Sequence, residues 1–199
     1  MVWAMILAAG ESRRMGGQKL LLPFGDKTII QTVIERVLAS KVEKTLVVLG
    51  ANREKIEDKI NAYTVEIVFN ADFSRGMLSS VQCGFQAVPK DVRALVVLLG
   101  DQPMIHTYVI DELIDSYDRT KKGIVIPVYN QRRGHPVLID LKYRDEVAHL
   151  SHEIGLRELV YTHPEDTHEI AVDTPDILRD IDDSEDYSRE IEKHQQSSD

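Results

Sequence analysis

The sequence predicts an α/β fold: a three-layer α/β/α sandwich around a mostly parallel sheet. Three observations predict it. Short runs apolar at nearly every position, such as WAMILAA (residues 3–9) and RALVVLLG (93–100), alternate with segments whose apolar residues recur at helical spacing. A strand apolar on both faces needs cover on both faces, which is the environment of a parallel sheet between helical layers. The strand-then-helix order also supplies the crossovers that parallel strands require.

WAMILAA is the first strand. In residues 27–40, Ile29, Ile30, Val33, Ile34, Val37 and Leu38 form one helical face. TLVVLG (45–50) is a second strand, and REKIEDKINAY (53–63) is a charged helix turning Ile56 and Ile60 inward. VEIVFN (65–70) is a third strand and MLSSVQCGFQAV (77–88) a helix. RALVVLLG is a fourth strand, YVIDELIDSYDR (108–119) a helix and GIVIPVY (123–129) a fifth strand. After about residue 130 the pattern weakens. HPVLIDL (135–141) reads as a short strand in a hairpin with residues 123–129, and HEIAV (168–172) as an added edge strand. YRDEVAHL (143–150), GLRELVYT (155–162) and the polar C-terminal segment from residue 184 read as helices. No repeat or low-complexity linker divides the chain, so a single domain over 1–199 is expected.

With 43% hydrophobic and 29% charged residues, a sizeable core is expected and global disorder is not. The net charge of -9 argues against a nucleic-acid partner, which calls for a basic face. It leaves room for a small anionic substrate served by a few local cations. The apolar runs are too short to span a membrane. A single cysteine, Cys83, cannot form an internal disulfide and fits a reducing compartment, and its apolar helical setting predicts a buried structural role. The first strand runs straight into a glycine loop rather than a leader, so a cytoplasmic protein is expected.

That loop is LAAGESRRMGGQK (7–19). Gly10, Gly16 and Gly17 let backbone amides turn toward an anion, Ser12 adds a hydroxyl, and Arg13, Arg14 and Lys19 add cations to an otherwise acidic chain. A triphosphate needs this combination of oriented donors and fixed charge; the alternative is a turn with solvated arginines. A Walker loop is excluded because Lys19 lies between Gln18 and Leu20, and a dinucleotide fingerprint because Gly10 is followed two residues later by Ser12. Further on, RALVVLLGDQPM puts Asp101 just past a buried strand, at the sheet edge where open α/β folds bind ligands. A carboxylate there can hold Mg²⁺ shared with substrate phosphates, or be a turn residue before Pro103.

The loop resembles the signature of the MobA-like nucleotidyltransferases, LAAG-x-S-x-R-M-G followed by Lys, and matching motifs run along nearly the whole chain. Its Ala-Ala form resembles the molybdenum-cofactor cytidylyltransferase branch; the guanylyl branch has Leu-Ala-Gly-Gly. The resemblance implies a Rossmann-like nucleotidyltransferase fold, with a nucleotide-binding core over 1–129 and acceptor-side elements and a C-terminal helix over 130–199. It implies nucleotide binding by Leu7, Ala8, Ala9, Gly10 and Ser12, and phosphate contacts from Arg14 and Lys19, which with Asp101 form the catalytic set. Arg13 falls on a variable position. Gly-Asp-Gln-Pro carries a metal-binding Asp in the family, which implies Mg²⁺ at Asp101. DIDDSEDY (180–187) resembles the family's Asp-Ile-Asp-Thr-Pro-Glu-Asp and implies a second metal carboxylate at Asp182. Asp183 and Ser184 depart from that pattern, and Ser184 also suits a helix N-cap. The Gly-Met-Leu-Ser-Ser stretch resembles the family segment that lines base and ribose, which implicates Ser79 and Ser80.

On the acceptor side, NQRRGHPVLID (130–140) corresponds to the family's Gly-x-Pro-Val-Leu string and presents Arg132, Arg133 and His135. Arg133 suits a terminal phosphate; His135 either binds the acceptor or satisfies a loop carbonyl. In HEIGLREL, Gly155 and Arg157 match the family's Gly-Asp-x-Gly-Ala-Arg, while His152, Glu153 and Leu156 depart from it. The implied reaction joins CMP from CTP to molybdopterin, for delivery to a molybdenum hydroxylase. Rival readings are transfer to a sugar or polyol phosphate, and a nucleotide-binding maturation chaperone without turnover.

Overall fold

The computed structural model describes residues 1–12, 15 and 17–196. A mixed sheet forms the middle layer. Its strands are β1 (Val2–Ala8), β4 (Lys44–Leu49), β5 (Glu66–Phe69), β6 (Ala94–Leu99), β7 (Ile124–Tyr129), β8 (Arg132–Arg133), β9 (Val137–Asp140) and β10 (Thr167–Ala171). The order is β10-β7-β9-β6-β1-β4-β5, with β8 paired to β7. β2 (Pro23–Phe24) and β3 (Lys27–Thr28) make a separate small hairpin.

Alternation along β1 divides the protein into two cores. Val2, Ala4, Ile6 and Ala8 face one layer, and Trp3 and Met5 face the other. The first core is covered by α1 (Ile29–Leu38), α2 (Arg53–Ile60) and α4 (Thr107–Thr120). The second lies under α3 (Met77–Ala87), α5 (Arg144–Val147) and α6 (Arg157–Thr162). α1 buries Ile29, Ile30, Val33, Ile34 and Val37. It begins where Gln31 Oε1 accepts from the Thr28 backbone N–H (2.9 Å) and hydroxyl (2.8 Å), which satisfies donors the helix start would leave orphaned. α7 (Ser184–Gln196) closes the chain. Among the described residues, no helix is long and apolar enough to cross a membrane.

β1 pairs in parallel with β4 and β6, as the doubly apolar runs require. The expected hairpin forms: Asn130 and Gln131 both take positive φ (47° and 63°) and reverse the chain between Tyr129 and Arg132, and the return arm, β8 followed by β9, pairs antiparallel with β7. β9 also pairs antiparallel with β6 and so lies between the two strands. Two expectations are corrected. Residues 65–70 form an edge strand rather than a doubly covered one; Ile67 and Phe69 are exposed, with the Arg53 guanidinium 5.3 Å from the Phe69 ring centroid. Cys83 is half-buried, its thiol 3.7 Å from the Phe69 carbonyl. Burial and the Asp72 charge push that thiol's pKa up, which disfavours the nucleophilic thiolate.

Candidate functional site

The C-terminal ends of β1 and β6 converge on a cavity of about 470 Å³. The chain leaving β1 passes so close to its neighbours that side chains are excluded there. A Cβ on Gly100 would lie 2.9 Å from the Leu7 carbonyl oxygen, and one on Gly50 would lie 2.8 Å from the Ala9 Cβ. At Gly10 a Cβ would meet nothing within 4 Å, so the loop is open there. Ser12 takes a positive φ of 54° and its hydroxyl donates to Gln18 Oε1 (2.9 Å), which ties the loop to the one-turn helix Lys19–Leu21.

Lys19 is the electrostatic centre. Its ammonium lies 2.6 Å from Asp101 Oδ2 and 3.0 Å from Asp182 Oδ1. Burial alone would lower its pKa, but the Asp101 and Asp182 carboxylates outweigh burial and hold it above the ordinary value. Asp101 is delivered by β6. Asp182 arrives from the far end of the chain, held where the Ile181 N–H donates to the Asp101 carbonyl (3.1 Å) while the Ile181 side chain is fully buried.

Asp180 lines the same cavity. Burial raises its pKa, and the Asp182 and Asp101 charges add to the rise. The donors are all oxygen, the set that suits a hard divalent cation. Among the described residues no three His, Cys, Asp or Glu side chains converge as a closed metal cage. An ion held by few carboxylates would complete its shell with substrate phosphate and water, as Mg²⁺ commonly does. The residues present fit such an ion. In Asp180-Ile181-Asp182 the buried Ile181 separates two carboxylates that both line the cavity.

The cavity brings together Leu7, Ala8, Ala9, Gly10 and Ser12 with Lys19, Ser80, Asp101 and Asp182. Phe73 and Met77 add an apolar wall that sequence reasoning missed. Arg14, with Arg13, lies outside the described residues. Ser79 departs from its expected place. It is not among the residues lining this cavity, and its hydroxyl is taken up by the carbonyls of Asp72 (3.0 Å) and Gly76 (2.8 Å) and by Asn70 Nδ2 (2.9 Å).

Arg133 and His135 border a second, narrower cavity of about 180 Å³ with an apolar floor that includes Ile126, Val137 and Leu159. Arg157 and Tyr161 also border it. Arg133 is exposed and paired with Glu169 at 2.6 Å. The loop carbonyl that His135 was expected to satisfy, that of Ile177, is bonded by its backbone N–H (2.9 Å) and not by the ring. Burial lowers the pKa of that ring; nearby Asp101 opposes the shift and Arg157 adds to it.

The MobA-like NTP transferase domain family matches residues 4–167. The nicotine blue oxidoreductase of Paenarthrobacter nicotinovorans is 33% identical over 172 residues, covering 82% of this chain and 83% of that protein. The molybdenum cofactor cytidylyltransferase of Escherichia coli K12 is 27% identical over 190 residues, covering 96% and 95%. Among solved structures, Rv0371c from Mycobacterium tuberculosis H37Rv superposes with a TM-score of 0.86 at 27% identity, covering 96% of this chain and 97% of that one. The same protein has been solved in complex with manganese. With that family model matching residues 4–167, the chain belongs to the MobA-like NTP transferases and is a nucleotidyltransferase.

Proposed function

We propose that the protein transfers CMP from CTP to the terminal phosphate of molybdopterin, forming molybdopterin cytosine dinucleotide and releasing pyrophosphate. The observation that carries this reading is Lys19 held between Asp101 and Asp182 at a cavity walled by residues 7–10 and Ser80. The likeness to a cytidylyltransferase over 96% of the chain and the Ala8-Ala9 pair support CTP over GTP. The base lies between the Leu7–Gly10 segment and Ser80, and the triphosphate runs toward Lys19. Asp101 and Asp182 would hold Mg²⁺, which supplies charge neutralisation at the α-phosphate.

An acceptor phosphate oxygen forms the new bond to the α-phosphorus. The bond from that phosphorus to the bridging oxygen breaks, and pyrophosphate leaves with the electron pair. A phosphate monoester is already anionic, so no protein base is required, and the protein contributes positioning and charge. The second cavity suits the acceptor: Arg133 and Arg157 offer guanidinium groups to phosphate, and the apolar floor takes a flat ring. His135, kept neutral by burial, would donate or accept one hydrogen bond there. We place the protein in the cytoplasm, with a molybdenum hydroxylase as recipient.

The test is pyrophosphate release with CTP or GTP against molybdopterin, sugar phosphates and polyol phosphates. Release only with a sugar or polyol phosphate would replace the acceptor, and tight nucleotide binding without release would make the protein a chaperone. A second reading comes from the relative named as an oxidoreductase. It predicts redox turnover of a substrate with no pyrophosphate formed, and the carboxylate–ammonium cluster favours the transferase.

A further inference from the structure

Asn70 follows β5 and is 4% exposed. One partner fixes the orientation of its side-chain amide. The Asp72 backbone N–H, which can only donate, is 2.9 Å from Oδ1. Nδ2 therefore faces α3, where its two protons go to Ser79 Oγ (2.9 Å) and Ser80 Oγ (3.0 Å). Both serine oxygens are thus acceptors. Ser79 passes its own proton to the Asp72 or Gly76 carbonyl. Ser80 donates to no described residue, and Ser80 is the member of the pair that lines the larger cavity.

We propose that Asn70 sets the polarity of the Ser80 hydroxyl, making it a donor toward the base, and is thereby a specificity-determining positioning residue. The inference rests on the reading that the base of an NTP occupies this cavity. Cytosine presents two adjacent acceptors, O2 and N3, beside its N4 donor, whereas guanine presents two adjacent donors, N1–H and N2–H, beside its O6 acceptor, so a hydroxyl placed to meet O2 and N3 faces the two donors of guanine. With one lone pair committed to Asn70, Ser80 meets the first edge with its unspent proton. Offering its other lone pair to guanine would leave that proton without an acceptor in a buried site, and an unmade buried hydrogen bond is the stronger penalty.

The experiment measures CTP and GTP affinities by titration calorimetry with Mg²⁺ present. It compares wild type, Asn70→Asp, Ser80→Ala and the double variant. In Asn70→Asp the new carboxylate can only accept, so the Ser80 proton turns toward it and the cavity sees lone pairs alone. The CTP-to-GTP affinity ratio is expected to fall about tenfold in Asn70→Asp and by a similar factor in Ser80→Ala. The double variant is expected to fall no further. A displaced loop would weaken both nucleotides alike and leave the ratio unchanged. An unchanged ratio in folded Asn70→Asp, or two falls that multiply in the double variant, overturns the proposal. Should Asn70→Asp not fold, Asn70→Ala leaves Ser80 free to rotate; its ratio is expected to fall about threefold, and no fall is equally fatal. Wild type binding neither nucleotide would instead overturn the underlying reading of the cavity, and this inference with it.

Discussion

The cavity at the C-terminal ends of β1 and β6 and the one on the sheet face under α6 are built in different ways. The larger is assembled from the ends of parallel strands, and most of its wall comes from chain segments that are short and contiguous: residues 7–12, 19–20, 76–80 and 99–101. The smaller depends on β9 running antiparallel through the sheet and on α6 lying over it. Its polar groups, Arg133, His135, Arg157 and Tyr161, come from the short strand β8, the bend after it and a short helix. Parallel strand ends give a fixed floor on which backbone amides and carboxylates can be placed. A short strand, a bend and a six-residue helix carry side chains that can be exchanged without disturbing that floor. The nucleotide would then be read by the invariant architecture and the acceptor by its adaptable margin.

The sharpest way to break that division is at its shared boundary. Asp101 lies in the turn after β6, the strand that flanks both β1 and β9. Asp101→Asn is expected to keep the fold and lower kcat by at least about a hundredfold, the scale of losing one electrostatic stabiliser of a transition state. Near-normal Mg²⁺-dependent turnover would remove Asp101 from the chemistry.

Lys19→Ala tests the nucleotide side alone. We expect kcat/KM for CTP to fall about thirtyfold while KM for the acceptor stays within about twofold. Lys19 is also mostly buried between two carboxylates, so its loss removes the ammonium both of them bond and lowers stability as well. Added Mg²⁺ should recover the lost melting temperature. A variant that is unstable with Mg²⁺ yet binds CTP normally would make Lys19 structural. The converse is Arg157→Ala, expected to raise KM for the acceptor about tenfold and leave CTP affinity unchanged. An equal effect on both substrates would dissolve the distinction between the cavities.

These contrasts also explain what could be read from the sequence. Doubly apolar runs have few structural alternatives, so β1, β4 and β6 and their parallel order were legible, and with them the positions of Ala8, Gly10, Lys19 and Asp101. The hairpin returning from β7 was legible too; the second pairing of β9, antiparallel to β6, was not, because a four-residue apolar strand does not reveal how many neighbours it has. Ser79 and Ser80 are indistinguishable by type and adjacent in a helix. The 100° that separates successive helical positions sends one to backbone carbonyls and the other to the cavity. Asn70 carries no motif at all and becomes visible only through the three groups it bonds.

A smaller effect is expected at Ala9. Its side chain is 6% exposed and packs where Gly50 leaves room, so only part of the methyl can meet a base. Ala9→Gly should narrow the CTP preference over GTP by about threefold without inverting it, at the low end of what one methyl group discriminates. Comparing kcat/KM for the two nucleotides with one acceptor decides it, and a wider gap in the variant would assign discrimination elsewhere.

The smallest expected effect is on stability, at His135. Burial holds the folded-state pKa below the ordinary imidazole value, so the unfolded chain takes up the proton first as the pH falls. The contribution of a neutral His135 is therefore fully present above about pH 6.5, the unfolded value, and is lost progressively as the pH drops through it toward the folded pKa. Asp101 pulls the ring the other way and Arg157 pushes with burial, so the loss should depend on both neighbours. His135→Gln is expected to lose less melting temperature between pH 7.5 and pH 5.5 than wild type, measured by calorimetry at those two values without Mg²⁺. Asp101→Asn removes the charge that favours the imidazolium, so it should steepen the wild-type loss, whereas Arg157→Ala should shallow it. Parallel pH profiles in wild type and His135→Gln would show that the acid sensitivity arises at other groups, and would leave His135 as an ordinary neutral wall of the smaller cavity.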